Sequence, residues 1–238
     1  MMILSGKLLG LQNKMSNPTA EQIRAAFDKF NPATCLDIGA NTGQFASEWG
    51  KTFPECEITS VEPNPHCEGR LKKLGVKYLQ FGLSDKIGEL ELILPKAKSN
   101  SKGASFYKEI NFNSLSEEEI LKIKVPVTTL DTLFPNTSFD IIKIDVQGAE
   151  LDVINGGELT LPKSSYVIIE VSLIPYNEGA PLADVIVKRM EDFNFFVQDI
   201  FGMHTNKSGK VIQLDLLFSK IGTHRLSTIN NFKKELGL

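Results

Sequence analysis

The sequence predicts an α/β protein built on one doubly wound, mostly parallel sheet with an antiparallel C-terminal edge strand. Short apolar runs rich in β-branched and aromatic residues recur along the chain at TCLDIG, EITSVE, VKYLQFGL, FDIIKIDV, SYVIIEVS, FFVQDIF and VIQLDLLFS. Helical patterns separate most of them, at QFASEWGKTF, HCEGRLKKLG, AELDVINGG and PLADVIVKRMEDF. Strands alternating with helices specify a parallel sheet covered on both faces. The last two runs are joined instead by GMHTNKSGK, which is polar, turn-rich and too short for a helix, so that pair reads as antiparallel.

In chain order, NPTAEQIRAAFDKF places Ile23, Ala26, Phe27 and Phe30 at helical spacing and reads as a leading helix packed on the sheet, within an N-terminal segment 1–33. The alternation breaks once. From about Gly88 a hairpin-like GELELIL leads into a segment rich in Ser, Asn, Lys and Glu, and residues 95–124 read as an insertion, either a substrate lid or a surface loop. The tail 219–238 is locally basic and reads as a short amphipathic packing helix. The expectation is one domain over 1–238.

Composition narrows the function classes. The 238 residues are 42% hydrophobic and 23% charged, enough for a core that buries roughly 70–75% of the unfolded surface. A net charge of −3 gives no footprint for nucleic acid, which shows as a basic face or stripe. The three cysteines, Cys35, Cys56 and Cys67, form no CxxC pair, so neither a disulfide framework nor a structural zinc site is indicated. No apolar run approaches the ~20 residues of a membrane span. A soluble, cytoplasmic location is expected.

The candidate site begins at CLDIGANTGQF. In open α/β sheets ligands bind beyond the carboxyl ends of the strands, and the loop after the first strand is the usual nucleotide cradle. Gly39 and Gly43 sit there. A P-loop needs GxxxxGK[ST], whereas Gln44 and Phe45 follow Gly43; a dinucleotide fingerprint needs GxGxxG, whereas Asn41 holds the middle position. Asp37, ending the strand, would repel a pyrophosphate and suits a cationic ligand. In TSVEPNP, Glu62 ends the second strand, where an acid hydrogen-bonds two ribose hydroxyls. A glycine loop without a phosphate anchor, an acid before it and a ribose acid after it match adenosine carrying a sulfonium amino acid, S-adenosylmethionine.

The segments LDIGANTGQF, SVEPNP, FGLSDKIGELEL, TTLDTL, IIKIDVQGAELDVINGG, VIIEVS and LDLLF, in this order, resemble the FkbM-type methyltransferases, a branch of the Rossmann-like class I S-adenosylmethionine-dependent fold. The resemblance implies O-methylation of a hydroxyl on a sugar, glycolipid or natural product, hence a small-molecule or glycan acceptor. It places Asp37, Gly39, Asn41, Gly43 and Phe45 around the methionine moiety, Glu62 on the ribose, Asn64 near the adenine, and Gly82, Leu83 and Ser84 along the adenine pocket.

The second constellation is IIKIDVQGAELDV. Lys143 and Asp145 lie near the carboxyl end of a buried strand, at the same cleft edge as Asp37 and Glu62. Gly148 opens a helix whose first turn carries Glu150, a placement that also suits the helix N-terminus. VIIEVS presents Glu170 likewise at a strand end, after three apolar residues, where a carboxylate needs a partner; Lys143 is a candidate. A sugar hydroxyl needs a base or a divalent ion to lose its proton. Asp145, Glu170 and His204 are the candidate catalytic groups, with His204 placed in the last hairpin turn. Asp145, Glu150 and Glu170 are the candidate oxygen ligands for an ion such as Mg²⁺. Whether Asp145 acts as base, metal ligand or donor anchor stays open. A nicotinamide oxidoreductase and a noncatalytic adenosine-binding module are the competing readings.

Overall fold

The computed structural model describes residues 20–27, 30–96, 104–110 and 116–220. The expectations for the first 19 residues and for the tail helix lie outside the described residues. In chain order the elements are α1 (Ala20–Ala26), β1 (Thr34–Ile38), α2 (Gln44–Thr52), β2 (Glu57–Val61), α3 (Glu68–Leu74), β3 (Lys77–Leu79), β4 (Gly82–Leu83) and β5 (Gly88–Pro95). They continue with β6 (Ile120–Thr128), α4 (Leu130–Leu133), β7 (Ile141–Ile144), α5 (Glu150–Asn155), β8 (Tyr166–Ser172), α6 (Ala183–Glu191), β9 (Phe195–Thr205) and β10 (Val211–Lys220).

Seven strands form the main sheet in the order β3-β2-β1-β7-β8-β10-β9. The pairs from β3 through β8 are parallel, and β10 runs antiparallel to both β8 and β9. The hairpin predicted for the last two runs therefore forms. Its second strand turns back between β8 and β9, which leaves β9 outermost.

Both faces of the central strands are covered, as their unbroken apolar runs require. Alternate residues feed two cores. Leu36, Ile38, Ile142, Ile144, Val167 and Ile169 pack in one, while Cys35, Ile141, Tyr166 and Ile168 pack in the other. The second core is aromatic: α2 buries Phe45, Ala46, Trp49 and Thr52 along one stripe. Trp49 stacks on Phe45 at 5.2 Å, and Phe27, just past α1, meets the Trp49 ring edge-on at 5.5 Å.

Two sequence expectations change. The run VKYLQFGL divides into β3 in the main sheet and β4 in a separate three-stranded sheet ordered β4-β6-β5. The 95–124 insertion is also shorter than its composition suggested. Pro95 closes β5, and Ile120–Lys124 belong to β6, which pairs antiparallel with β5 over its whole length. Lys122 and Lys124 are exposed on one face of β6 while Leu121, Ile123 and Val125 pack on the other, so an alternating strand reads as polar sequence. No helix among the described residues is long and apolar enough to cross a membrane.

Candidate active site

A cavity of about 260 Å³ opens at the carboxyl ends of β1, β2, β7 and β8, lined among others by Asp37, Glu62, Lys143, Asp145, Glu170 and His204. Register explains the convergence. Asp37 on β1 stands directly across from Ser60 on β2 and Lys143 on β7, and Lys143 is opposite Ile168, two residues before Glu170 on the same face of β8. Glu170 in turn pairs with Asp215 on β10, and Asp215 with Gly202 on β9.

The loop after β1 answers why two glycines follow an aspartate. Gly39 has φ 78°, and a Cβ there would lie 1.8 Å from the Asp145 backbone oxygen. Gly43 has φ 81°, and a Cβ would meet Leu74 Cδ1 at 2.2 Å. Close approach by other parts of the chain thus requires both glycines. Gly39 also lines the cavity, whereas Gly43 faces α3 and stands outside the lining. Asn41, at φ 48°, turns its backbone N–H onto Glu62 Oε2 at 2.8 Å.

Glu62 is held from both sides, since its Oε1 accepts the Asn64 backbone N–H at 2.8 Å. Burial pushes its carboxyl up to about 7 against the pull of those two N–H donors. Asn64 is buried beside the cavity rather than in its wall, and its side chain accepts the N–H of His66 to cap the next turn. Ser84 likewise stands behind the wall and donates to Asp85, while Gly82 and Leu83 line the cavity. Phe106, from the insertion, lies over Gly82: a Cβ there would touch its ring at 2.4 Å. Ala104, Ser105 and Phe106 form this part of the wall.

Asp37 is fully buried, and among the described residues neither carboxylate oxygen has a hydrogen-bond partner. Burial pushes its carboxyl up to about 6; Lys143 opposes the rise and Asp145 adds to it. Lys143 donates to Asp145 Oδ2 at 2.8 Å and sits 5.2 Å from the centre of the Phe45 ring. Burial alone would lower its pKa, but the carboxylates of Asp145, Asp37 and Asp215 raise it. The expected partner of Lys143, Glu170, is replaced by Asp145. Asp145 resists ionisation through burial, yet Lys143 and the Gln147 amide, 2.8 Å from Oδ1, hold it below the usual carboxylate range. Both Asp145 oxygens are thus engaged and its charge is stabilised.

Glu150 does not join the predicted ligand set. Its carboxylate accepts the backbone N–H groups of Val146 and Gly148, tying down the loop between β7 and α5. The group that does gather ligand atoms among the described residues is Glu170, His204 and Asp215. His204 lies within β9 rather than in the turn, because β9 runs on to Thr205. Its Nε2 is 3.4 Å from Glu170 Oε2 and 3.4 Å from Asp215 Oδ2. Glu170 Oε1 accepts amide N–H groups from Gln147 at 2.5 Å and Gln213 at 3.0 Å. Burial, reinforced by Asp145, Asp215 and Glu150, drives the Glu170 carboxyl well above its ordinary value. Sequence reasoning did not single out Asp215, Gln147 or Gln213. An aspartate inside the apolar strand VIQLDLLFS is a signal of the same kind that singled out Glu170.

The sheet order, the reversed penultimate strand and a cavity over the carboxyl ends of β1 and β2 define a class I methyltransferase fold. The chain belongs to the methyltransferase FkbM domain family, whose model matches residues 37–197. It is 27% identical over 219 residues to the 2-O-methyltransferase NoeI of Sinorhizobium fredii, covering 81% of this chain and 90% of that one. It is 31% identical over 156 residues to the methyltransferase sdnD of Sordaria araneosa, covering 51% of this chain and 59% of that protein. A crystal structure of an FkbM methyltransferase from Methylobacillus flagellatus KT superposes with a TM-score of 0.52 at 12% identity. That match covers 84% of this chain and 48% of the other, so this chain spans about half its length. Family membership removes the nicotinamide reading.

Proposed function

We propose that the protein is an S-adenosylmethionine-dependent O-methyltransferase acting on a hydroxyl of a sugar, glycolipid or natural product. The observation that carries the donor assignment is Asp37: a fully buried carboxylate, without hydrogen-bond partners among the described residues, in the wall of the cavity. A buried unpaired acid costs several kcal/mol unless a ligand supplies its counter-charge, and the ammonium group of the donor's methionine does so. Glu62, with one lone pair of each oxygen already committed to a backbone N–H, keeps the others for two ribose hydroxyls. Phe81, Gly82, Leu83 and Phe106 supply an apolar slot for the base.

The donor supplies an electrophilic methyl group. The chain's part is to align the acceptor oxygen, exclude water and help remove a proton. Asp145 and Lys143 form a fixed ion pair beside the donor site, and the Glu170–His204 corner faces the acceptor. The name 2-O-methyltransferase of the relative NoeI supports a hydroxyl acceptor. In calorimetry, S-adenosylhomocysteine should bind the wild-type chain and lose at least tenfold in affinity in Asp37→Asn and in Glu62→Ala. Unchanged affinity in folded variants would reject the assignment.

A further inference from the structure

At the Glu170–His204–Asp215 corner one imidazole nitrogen stands between two carboxylates. An imidazole Nε2 carries at most one hydrogen and can aim it at one acceptor, yet Nε2 here stands 3.4 Å from two carboxylate oxygens. Charge-assisted N–H···O bonds close to about 2.7–2.9 Å. Separations of this size match ligands around a common centre, since donors about 2.0–2.2 Å from an ion in a tetrahedral array lie about 3.3–3.6 Å apart, and all three ligand atoms here lie within 4.8 Å of one another.

The surroundings hold the ligands in that arrangement. Two amides, from Gln147 and Gln213, occupy Glu170 Oε1 and leave Oε2 turned to His204. Outer partners of this type orient ligating carboxylates in metal sites. Across β9, Gly202 leaves room for the Asp215 carboxylate, since a Cβ there would lie 2.2 Å from Oδ2. Charge points the same way. Lys143 is bonded to Asp145, and among the described residues neither Glu170 nor Asp215 makes an ion pair with a lysine or arginine.

We propose that Glu170, His204 and Asp215 bind a divalent cation of the kind that accepts mixed imidazole and carboxylate ligands, Mn²⁺ or Zn²⁺, at the acceptor end of the cavity. This replaces the Asp145, Glu150 and Glu170 set expected from the sequence, and it rests on the methyltransferase reading only for its use. There the cation lowers the pKa of the acceptor hydroxyl.

The test uses protein stripped with EDTA and titrated with MnCl₂, free Mn²⁺ being read by electron paramagnetic resonance, and with ZnCl₂ in a calorimeter. The expected result is one ion per chain, with affinity at least tenfold weaker in His204→Gln and in Asp215→Asn. Circular dichroism and Tm establish that each variant is folded; if Asp215→Asn is not, His204→Gln, whose side chain is 24% exposed, decides the matter. S-adenosylhomocysteine affinity in Asp215→Asn should stay within a few fold, because Asp215 lies outside the cavity lining. Ion uptake without S-adenosylhomocysteine binding would sustain the cation site while rejecting the donor reading. Wild-type protein that binds neither ion, or binds as tightly in both variants, overturns the proposal.

Discussion

Gly39 lies directly against the backbone of Asp145: a Cβ on the glycine would sit 1.8 Å from the aspartate's carbonyl oxygen. The Asp145 N–H also donates to Ile38 O at 3.0 Å, so the two cavity-lining loops are joined backbone to backbone. Gly39→Ala combines a positive φ with a clash against an atom that cannot swing aside, and should cost more than about 3 kcal/mol. Gly75 is the control. It has a similar φ of 72° but open space around it, and its alanine variant should cost about 1 kcal/mol. Urea unfolding measures both; equal losses would mean that the close approach carries no weight.

The buried acids make stability and donor binding respond to pH in opposite directions. Asp37 and Glu62 titrate near 6 and 7 in the folded chain, above the 3.8 and 4.5 of the ordinary groups. A raised acid favours the fold below its unfolded pKa and withdraws that contribution as pH rises through the folded value. The ligand-free protein should therefore lose stability between about pH 4 and 7 and level off above that, with Asp37 contributing up to roughly 3 kcal/mol over the whole span. Asp37→Asn should raise the Tm of ligand-free protein at pH 8. Donor affinity needs the charged carboxylates and should fall at least tenfold from pH 8 to pH 5, as followed with S-adenosylhomocysteine. Parallel trends in Tm and affinity would contradict this account.

The main sheet was legible because its strands are short apolar runs and their connections carry helical spacing. The same rule placed Asp37, Glu62 and Asp145 at strand ends, where the cavity opens. What stayed hidden depends on distance in sequence. Gly43 reads as a ligand-loop glycine, but it faces α3 instead of the cavity, and its φ of 81° is what calls for glycine there. Glu150 and Glu170 look alike as acids beside the cleft, yet loop N–H groups satisfy one while the other meets β9 and β10. Strand β6 escaped notice because outward lysines diluted its pattern.

Lys143 and Asp145 should be strongly coupled. Lys143 is nearly fully buried, bonded to Asp145 and directly opposite Asp37. Lys143→Met leaves the buried Asp145 carboxylate without the cation it is bonded to and should cost about 3–5 kcal/mol. Asp145→Asn should cost less, since the Asp37 carboxylate, though not bonded to the lysine, still acts on its charge from the neighbouring strand. In a double-mutant cycle the pair should show a coupling of at least about 1 kcal/mol. Additive losses would mean that the ion pair contributes nothing beyond its separate members.

The described part of the insertion, residues 104–110, should act as a wall that tightens on the donor. Ser105 donates to the Gln147 carbonyl and accepts the Tyr107 N–H, while Tyr107 donates to Asp152 at 3.0 Å. These bonds fasten the segment to the loop after β7 and to α5. Phe106 between them covers Gly82 on the side of the cavity assigned to the adenine. Phe106→Ala removes an aromatic face from the base slot and should weaken S-adenosylhomocysteine binding by about tenfold, the scale of one stacking contact. Ser105→Ala, which loosens the fastening but keeps the ring, should weaken it less. Hydrogen exchange supplies an independent reading, because a wall that excludes water should become more protected across 104–110 when S-adenosylhomocysteine binds. Unchanged exchange together with wild-type affinity in Phe106→Ala would remove this segment from the donor site and leave it as a packing contact on the β4-β6-β5 sheet.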